Sequence, residues 1–318
     1  MRIAITCHYA KLPEDHPTWR RAIETAQVEL SEKVNLSGEE LLEFIQGADA
    51  LISGTDFIMP ELLDRFPPSL KVISRPAVGY DRVDAVYARK KGIDVCNAPG
   101  TNSDSVADLA VGLMVACARG IYPNAADCKA GKWTNGTRGM ALTGKTVGVM
   151  GMGAIGKRDA QRCQGFGMNV VAYDPYIDAG YCAKNNIRVV EMDELLAVSD
   201  VVTLHLPLMP GTENIINSDT IAKMKDGAIL INTARGGLVD HDALYEALIN
   251  GKLRAYGADT TIPEPPPADM PLIQLPNVII TAHIGANTNE ALENMMSVAL
   301  ENALDILEGK PCRNIVNK

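Results

Sequence analysis

The sequence predicts an α/β protein with two doubly wound parallel sheets, one domain inserted into the other. Three observations carry this. Short apolar, strand-like runs alternate with helical patterns along the chain. One strand–helix–strand unit, Lys145 to Pro175, carries glycines at GxGxxG spacing. The last helical pattern, from about Thr288 to Leu307, is placed to return and complete the N-terminal part. The expected domains are residues 1–99 with 286–318, and residues 100–285.

In order, Ile3–Cys7 reads as a strand and Trp19–Glu32 as a helix. Ser37 with Glu40 forms a capping box before LLEFI. Ala50–Ser53, Lys71–Ser74 and Asp94–Asn97 give further strands, with a helical pattern at Asp84–Lys91. The breaker cluster NAPG (97–100) ends this module, and Thr101 or Asn102 can cap a long helix through Arg119. Residues 121–143 mix helix and loop before the glycine unit. Strands then recur at Val201–Leu206, Ala228–Thr233, Ala255–Asp259 and Val278–Thr281, with Asp240 capping a helix to Asn250. Residues 263–267 (PEPPP) make a stiff loop, and the last helix stops at Gly309 with Pro311 beyond.

The glycine unit has a specific physical reading. Strand Thr146–Met150 leads into Gly151, Gly153 and Gly156, helix-compatible sequence runs to about Phe166, and a second strand, Asn169–Tyr173, ends on Asp174. Gly151 permits a tight turn, Gly153 lets the backbone approach a pyrophosphate, and Gly156 lets helix and strand pack closely. The helix starting near Ala154 points unpaired amides and its positive dipole end at the phosphates. Asp174, 18 residues beyond Gly156, can accept from the adenine ribose hydroxyls. It would repel a 2′-phosphate, and Pro175 and Tyr176 offer no offsetting cation, so NAD(H) is expected over NADP(H).

Length and composition bound the remaining classes. At 318 residues, 47% hydrophobic and 22% charged, the chain suits two globular domains with sizeable cores. A net charge of −9 without a basic run argues against nucleic acid and anionic membranes as partners. The longest uncharged apolar run, Leu109 to Ala118, is too short to span a bilayer, and no signal peptide is visible after Met1. Seven scattered cysteines without a CxxC pair read as mostly buried thiols in a reducing, cytoplasmic setting. The five histidines show no HxH or HExxH spacing, so no metal is expected. His241 is expected on a solvated helix end.

Doubly wound sheets bind ligands beyond the carboxyl ends of their strands. Arg235 follows ILINTA, Asp259 ends AYGAD, Glu264 lies in the proline-rich loop, and His283 follows VIITA. An arginine, an acid and a histidine at successive strand ends suit a substrate bearing a carboxylate and a carbonyl.

In these motifs the sequence resembles the D-isomer-specific 2-hydroxyacid dehydrogenases over essentially its whole length. The resemblance is carried by GMGAIG (151–156), YDP (173–175), LHLPL (204–208), NTARGGLVD (232–240), ADTTIPEP (258–265) and TAHIGANT (281–288). Within the family it is most similar to the phosphoglycerate dehydrogenase branch, through ISRPAVGYDRVD (73–84) and KGIDVCNAPGTNSDSVAD (91–108). The resemblance implies a Rossmann cofactor domain inserted into a flavodoxin-like substrate domain. It also implies NAD-dependent interconversion of a D-2-hydroxy acid and its 2-keto acid, with phosphoglycerate, hydroxypyruvate or glyoxylate chemistry as candidates. The family's catalytic set falls on Arg235, Glu264 and His283: Arg235 would grip the substrate carboxylate, and His283, paired with Glu264, would handle the proton. Ala154, Ile155 and Asp174 would meet the cofactor. Val78, His205, Pro207, Thr233 and Ala234 would line it together with Arg235 and His283, and Asp259 would hold the carboxamide. Arg75, Val78 and Gly79 would meet the substrate, and a homodimer through the cofactor domain is implied, with residues 120–144 reaching across.

Several positions depart from the family pattern. Ala154 stands where arginine is common, Pro76-Ala77 replaces a small pair with glycine, and Thr260-Thr261 replaces Val-Phe. Ser53-Gly54 offers no second arginine to join Arg75 on a phosphate, and the chain ends after CRNIVNK, where no regulatory domain is expected to follow. Relatives of this fold also serve as NAD-sensing corepressors, and the Arg–Glu–His set does not separate that reading from an enzyme. Tyr87 and Lys91 form YxxxK, but they precede the glycine motif, the wrong order for short-chain dehydrogenase chemistry.

Overall fold

Strict alternation along the N-terminal strands sets the first sheet between two helical layers. In the computed structural model, which describes residues 1–7, 11–33, 36–134, 136 and 138–318, the chain divides into two units: Met1–Asn102 with Asn287–Lys318, and Ser103–Ala286. The first unit runs β1 (Arg2–Ile5), α1 (Pro17–Thr25), β2 (Gln27–Leu30), α2 (Gly38–Phe44), β3 (Ala50–Ile52), α3 (Pro60–Leu63), β4 (Val72–Ser74), α4 (Ala85–Lys90) and β5 (Asp94–Cys96). All neighbours pair parallel, in the order β2-β1-β3-β4-β5.

Ile3, Ile5, Ala50 and Ile52 face one layer, where Trp19 and Ala22 of α1 join five residues of the C-terminal helix Asn289–Leu307: Met296, Ala299, Leu300, Ala303 and Leu304. Ala4, Leu51 and Ile73 face the other layer, against Leu41, Leu42, Leu63 and Ala88. The Ser37–Glu40 capping box is formed, and Thr288 caps the C-terminal helix.

The expected helix Trp19–Glu32 is corrected. It ends at Thr25, Ala26 is extended, and Gln27–Leu30 is an edge strand in register with β1. AQVEL is acceptable to a helix by composition. The open edge of β1 decides, because Val28 and Leu30 pack on the core only as a strand.

The second unit runs α5 (Ser103–Arg119), α6 (Ile121–Lys129), β6 (Thr146–Met150), α7 (Ala154–Gly165), β7 (Asn169–Tyr173), α8 (Ala179–Lys184), β8 (Arg188–Val189), α9 (Met192–Val198), β9 (Val201–Leu204), α10 (Ser218–Lys223), β10 (Ala228–Asn232), α11 (His241–Ile249), β11 (Leu253–Ala258) and β12 (Val278–Ile280). Its parallel sheet has the order β12-β11-β10-β9-β6-β7-β8. Order reverses between β6 and β9, the switch point where such sheets open a crevice.

Two layers close this sheet. One packs α5 and α7 on Val147, Val149, Ile229 and Ile231; the other gathers Leu195, Leu204, Leu230, Leu244 and Tyr256. Gly257 admits α5 closely: a Cβ there would lie 3.1 Å from both Cys117 Sγ and Leu113 Cβ. Among the described residues no single helix is long and apolar enough to cross a membrane. Only α5 with α6 approaches it, across a 68° bend, and the buried face of α5 lies on the sheet. Within the interval 121–143, residues 135 and 137 lie outside the described residues.

Candidate active site

The glycine turn after β6 is shaped by three different contacts. Gly151 has φ +99°, and a Cβ there would lie 2.7 Å from the carbonyl carbon of His205, so both backbone angle and space demand glycine. A Cβ on Gly156 would sit 1.9 Å from the Gly151 carbonyl oxygen, which is the close helix–strand approach. Gly153, by contrast, borders open space: nothing lies within 4 Å of its Cβ position. Ala154 and Ile155 begin α7 there, and first-turn amides have no partner within a helix. An anion brought to this opening meets backbone donors and the positive helix end.

Asp174 is tied to the same turn. Its Oδ2 accepts from Met152 N–H at 2.7 Å and its Oδ1 from Tyr176 N–H at 2.8 Å. Each oxygen keeps a second lone pair for a ribose hydroxyl. The fit to a dinucleotide therefore rests on an open glycine, a helix end and an oriented acid.

Across the switch point, His205 N–H donates to Met150 O at 2.8 Å. The ring is 1% exposed, with Nε2 3.0 Å from Thr203 Oγ1 and 3.4 Å from Asp159 Oδ2. The exposed surface of His205 is carried by its backbone. Pro207 is exposed, and its carbonyl accepts from the Thr212 hydroxyl at 2.6 Å.

At the end of β10, Asn232 folds the turn that carries Arg235. Its Oδ1 accepts from Ala234 N–H at 3.0 Å and its Nδ2 donates to Arg235 O at 2.8 Å. The Thr233 hydroxyl is buried and has no hydrogen-bond partner. Arg235 Nη1 donates to Ala234 O at 2.8 Å. Gly236, next along, packs so tightly that a Cβ would lie 2.2 Å from the carbonyl carbon of Thr261. The Arg235 turn is thus seated on the segment after β11.

That segment carries Glu264. Its Oε1 accepts from Thr261 N–H at 3.3 Å, and its Oε2 lies 3.1 Å from His283 Nδ1. His283 sits after β12 at φ +53°, a left-handed conformation a non-glycine residue adopts only where its surroundings impose it. Asp259 imposes it. Its Oδ1 accepts from the Thr281 hydroxyl at 2.5 Å and Ile284 N–H at 2.8 Å, and its Oδ2 from Gly285 N–H at 2.7 Å. Asp259 is 1% exposed. Three donors of the His283 loop converge on this carboxylate, which ties the loop to the end of β11. Arg235, Glu264 and His283 thus follow three adjacent strands at one sheet edge.

In the N-terminal unit, Arg75 follows β4 and is buried, while Val78 and Gly79 are half-buried. Arg75 N–H donates to Cys96 O at 2.9 Å, and Val78 O accepts from Asn97 Nδ2 at 2.8 Å. His241 is also corrected. It opens α11 half-buried rather than solvated, its Nε2 is buried with no hydrogen-bond partner, and burial holds the imidazole below its usual pKa. Among the described residues, no group of three His, Cys, Asp or Glu is arranged for a metal ion.

Residues 111–285 match the family described as D-isomer specific 2-hydroxyacid dehydrogenase, NAD binding domain. The chain belongs to this family. It is 44% identical over 298 residues to the D-3-phosphoglycerate dehydrogenase of Methanocaldococcus jannaschii, covering 92% of this chain and 56% of that one. It is 42% identical over 260 residues to the hydroxypyruvate reductase of Thermotoga maritima, covering 81% of this chain and 84% of the reductase. The solved structure of a glyoxylate reductase from Paecilomyes thermophila superposes with a TM-score of 0.87 at 30% identity, covering 99% of this chain and 98% of the other. The chain spans about half the length of the phosphoglycerate dehydrogenases it matches.

The cofactor of this 2-hydroxyacid dehydrogenase family domain is NAD. Two further residues shape its site. Asn232, the first residue of NTARGGLVD, closes the apolar strand β10. Asp159, 0% exposed beneath His205, falls on the buried stripe Gly156, Asp159, Ala160 and Cys163 of α7. The i, i+3, i+4, i+7 spacing of that stripe was the available signal for an inward-facing acid.

Proposed function

We propose that the protein is an NAD-dependent oxidoreductase that interconverts a D-2-hydroxy acid and its 2-keto acid. The observation that carries this is the Glu264–His283 contact at 3.1 Å, beside the strand end that bears Arg235. A guanidinium fork matches a carboxylate, and a charge-assisted hydrogen bond contributes about 1.5–3 kcal/mol. Arg235 binds the substrate carboxylate and polarises its 2-oxygen. Glu264 takes up Nδ1 of His283, which leaves Nε2 to deliver a proton to that oxygen in reduction and to remove it in oxidation. The amides of Ala154 and Ile155 would hold NAD at its pyrophosphate and Asp174 at its ribose, and the bound cofactor would supply the hydride chemistry. The asparagine-built turn and the Asp259 brace hold arginine and histidine in place during turnover.

Residues 103–286 are the NAD-binding part in this reading, and residues 1–102 with 287–318 the substrate-binding part. Arg75 and the backbone of Val78 and Gly79 act on the substrate. Hydroxypyruvate, glyoxylate and 3-phosphohydroxypyruvate are the leading substrates, by similarity to the relatives' activities. A homodimer through the NAD-binding part is supported by Ile121, Tyr122 and Trp133, which are 50%, 61% and 94% exposed. A cytoplasmic setting is supported by seven free cysteines.

The test is a panel of these keto acids and pyruvate with NADH, followed at the NADH absorbance band. Turnover of at least one supports the proposal. NADH binding with no turnover of any overturns it in favour of an NAD-sensing binding protein.

A further inference from the structure

Two thiols from distant parts of the chain meet in the N-terminal unit. Cys96 closes β5 and is 0% exposed, Cys312 is partly exposed beyond the C-terminal helix, and their Sγ atoms lie 3.8 Å apart. The tail that carries Cys312 is anchored. Ile315 bridges antiparallel to Cys96 and Val316 N–H donates to Val95 O at 2.8 Å. Asn317 donates to Ala85 O and Ile93 O and accepts from Val95 N–H, at 2.8, 3.0 and 2.9 Å.

A hydrogen-bonded chain leads away from the pair. The Cys312 thiol donates to Asn302 Oδ1 at 3.4 Å, and Asn314 Nδ2 donates to the same oxygen at 2.9 Å. Asn302 Nδ2 donates to Asn97 O at 2.9 Å, and Asn97 Nδ2 to Val78 O at 2.8 Å.

We propose that Cys96 and Cys312 are a reversible oxidation site, closed to a disulfide by a hydroperoxide. Partly exposed Cys312 is the sulfur the oxidant reaches. Its thiolate attacks the peroxide, the O–O bond breaks, the departing oxygen takes up a proton, and Cys312 becomes a sulfenic acid. The Cys96 sulfur then attacks the Cys312 sulfur, the S–S bond forms and the S–O bond breaks. Hydroxide leaves with the Cys96 proton as water, so two thiols have given two electrons to one peroxide. Burial, reinforced by the neighbouring Cys312 thiol, pushes the Cys96 thiol up, so the partly exposed Cys312 meets the oxidant first and Cys96 gives up its proton only as it attacks the sulfenic sulfur.

Closing the bond brings the sulfurs together by about 2 Å and removes the thiol donor from Asn302. The chain from Asn302 to Val78 then transmits the change to a backbone that meets the substrate. That last step rests on the function proposed above, whereas the disulfide does not.

The test uses the full chain carrying Cys128→Ser, which removes the exposed thiol. After hydrogen peroxide and its removal, the expected result is a mass loss of about 2 Da, two fewer alkylatable thiols and a peptide linking Cys96 to Cys312, all reversed by dithiothreitol. Cys96→Ser is expected to leave Cys312 as a dimedone-reactive sulfenic acid. Absence of the linked peptide, or an unchanged mass loss in Cys312→Ser, overturns the proposal. In the oxidised protein KM for the keto acid is expected to change at least about threefold, with a smaller change in kcat. An unchanged KM with the disulfide formed overturns the coupling through Asn302. If no keto acid is turned over, the mass and thiol readouts still decide the disulfide.

Discussion

Glu264 Oε2 and His283 Nδ1 meet at 3.1 Å across two neighbouring strand ends, although 19 residues separate them in sequence. The contact fixes which imidazole nitrogen faces away from the acid. His283→Asn is expected to lower the rate of keto-acid reduction by a factor of about 100 to 10,000 with NADH affinity unchanged. Steady-state kinetics with a fluorescence titration of NADH checks both halves. Glu264→Gln retains a hydrogen-bonding oxygen but not the charge, so its loss is expected to be smaller and to vary with pH.

Three donors of the His283 loop converge on Asp259. Asp259→Asn leaves one amide hydrogen pair facing backbone donors and releases the loop. A fall in kcat of about 10- to 100-fold is expected, together with faster amide hydrogen exchange at residues 282–285. Equal exchange in the two proteins would count against the brace.

Gly153 and Gly156 offer a paired test of the cofactor site. The Cβ of Gly156→Ala would lie 1.9 Å from the Gly151 carbonyl oxygen, and a loss of stability of at least about 2 kcal/mol is expected. Gly153→Ala adds its methyl to open space at φ −69°. It should melt close to the parent temperature while binding NADH at least about tenfold more weakly. Calorimetric melting and NADH titration separate the two.

Asp200 gives the NAD-binding unit an acid-sensitive joint. Burial alone would push its carboxyl up, but the Thr146 N–H at 2.9 Å and the ammonium groups of Lys225 and Lys145 outweigh it and hold it below the usual range. A carboxyl lowered on folding stabilises the protein fully above its unfolded pKa, near 4, and that contribution is lost as pH falls through the folded value. Asp200→Asn is therefore expected to cost about 1 kcal/mol at pH 7. The gap from the parent should narrow as pH falls from about 5 towards 3, as read by urea denaturation across that range.

Much of this architecture is legible in the sequence, for reasons that differ by element. The apolar runs ILIN and VVTL show β10 and β9 because a parallel strand is buried on both faces. The glycine spacing shows the turn because Gly151 and Gly156 exclude a side chain while Gly153 borders open space. Capping at Ser37, Asp240 and Thr288 shows helix starts because each cap is a local hydrogen bond. The edge strand β2 was hidden, since its conformation is imposed by the neighbouring edge of β1. The inward turn of His205 was hidden too. A residue after a strand end can face either way, and Asp159 on a different element decides it. The loop that closes over Asp259 was hidden as well, because the sequence shows the strand end but not the donors that return to it.

The order in which the two units reach completion during synthesis follows from the C-terminal helix. Met296, Ala299, Leu300, Ala303 and Leu304 fill one face of the sheet that residues 2–96 begin. That sheet leaves the ribosome first but keeps an uncovered apolar face until the whole NAD-binding unit has been made. Unit 103–286 contains all its own core residues and can settle earlier. The unit begun before the NAD-binding unit is thus sealed after it, and removal of helix Asn289–Leu307 should expose that face to chaperones and proteases.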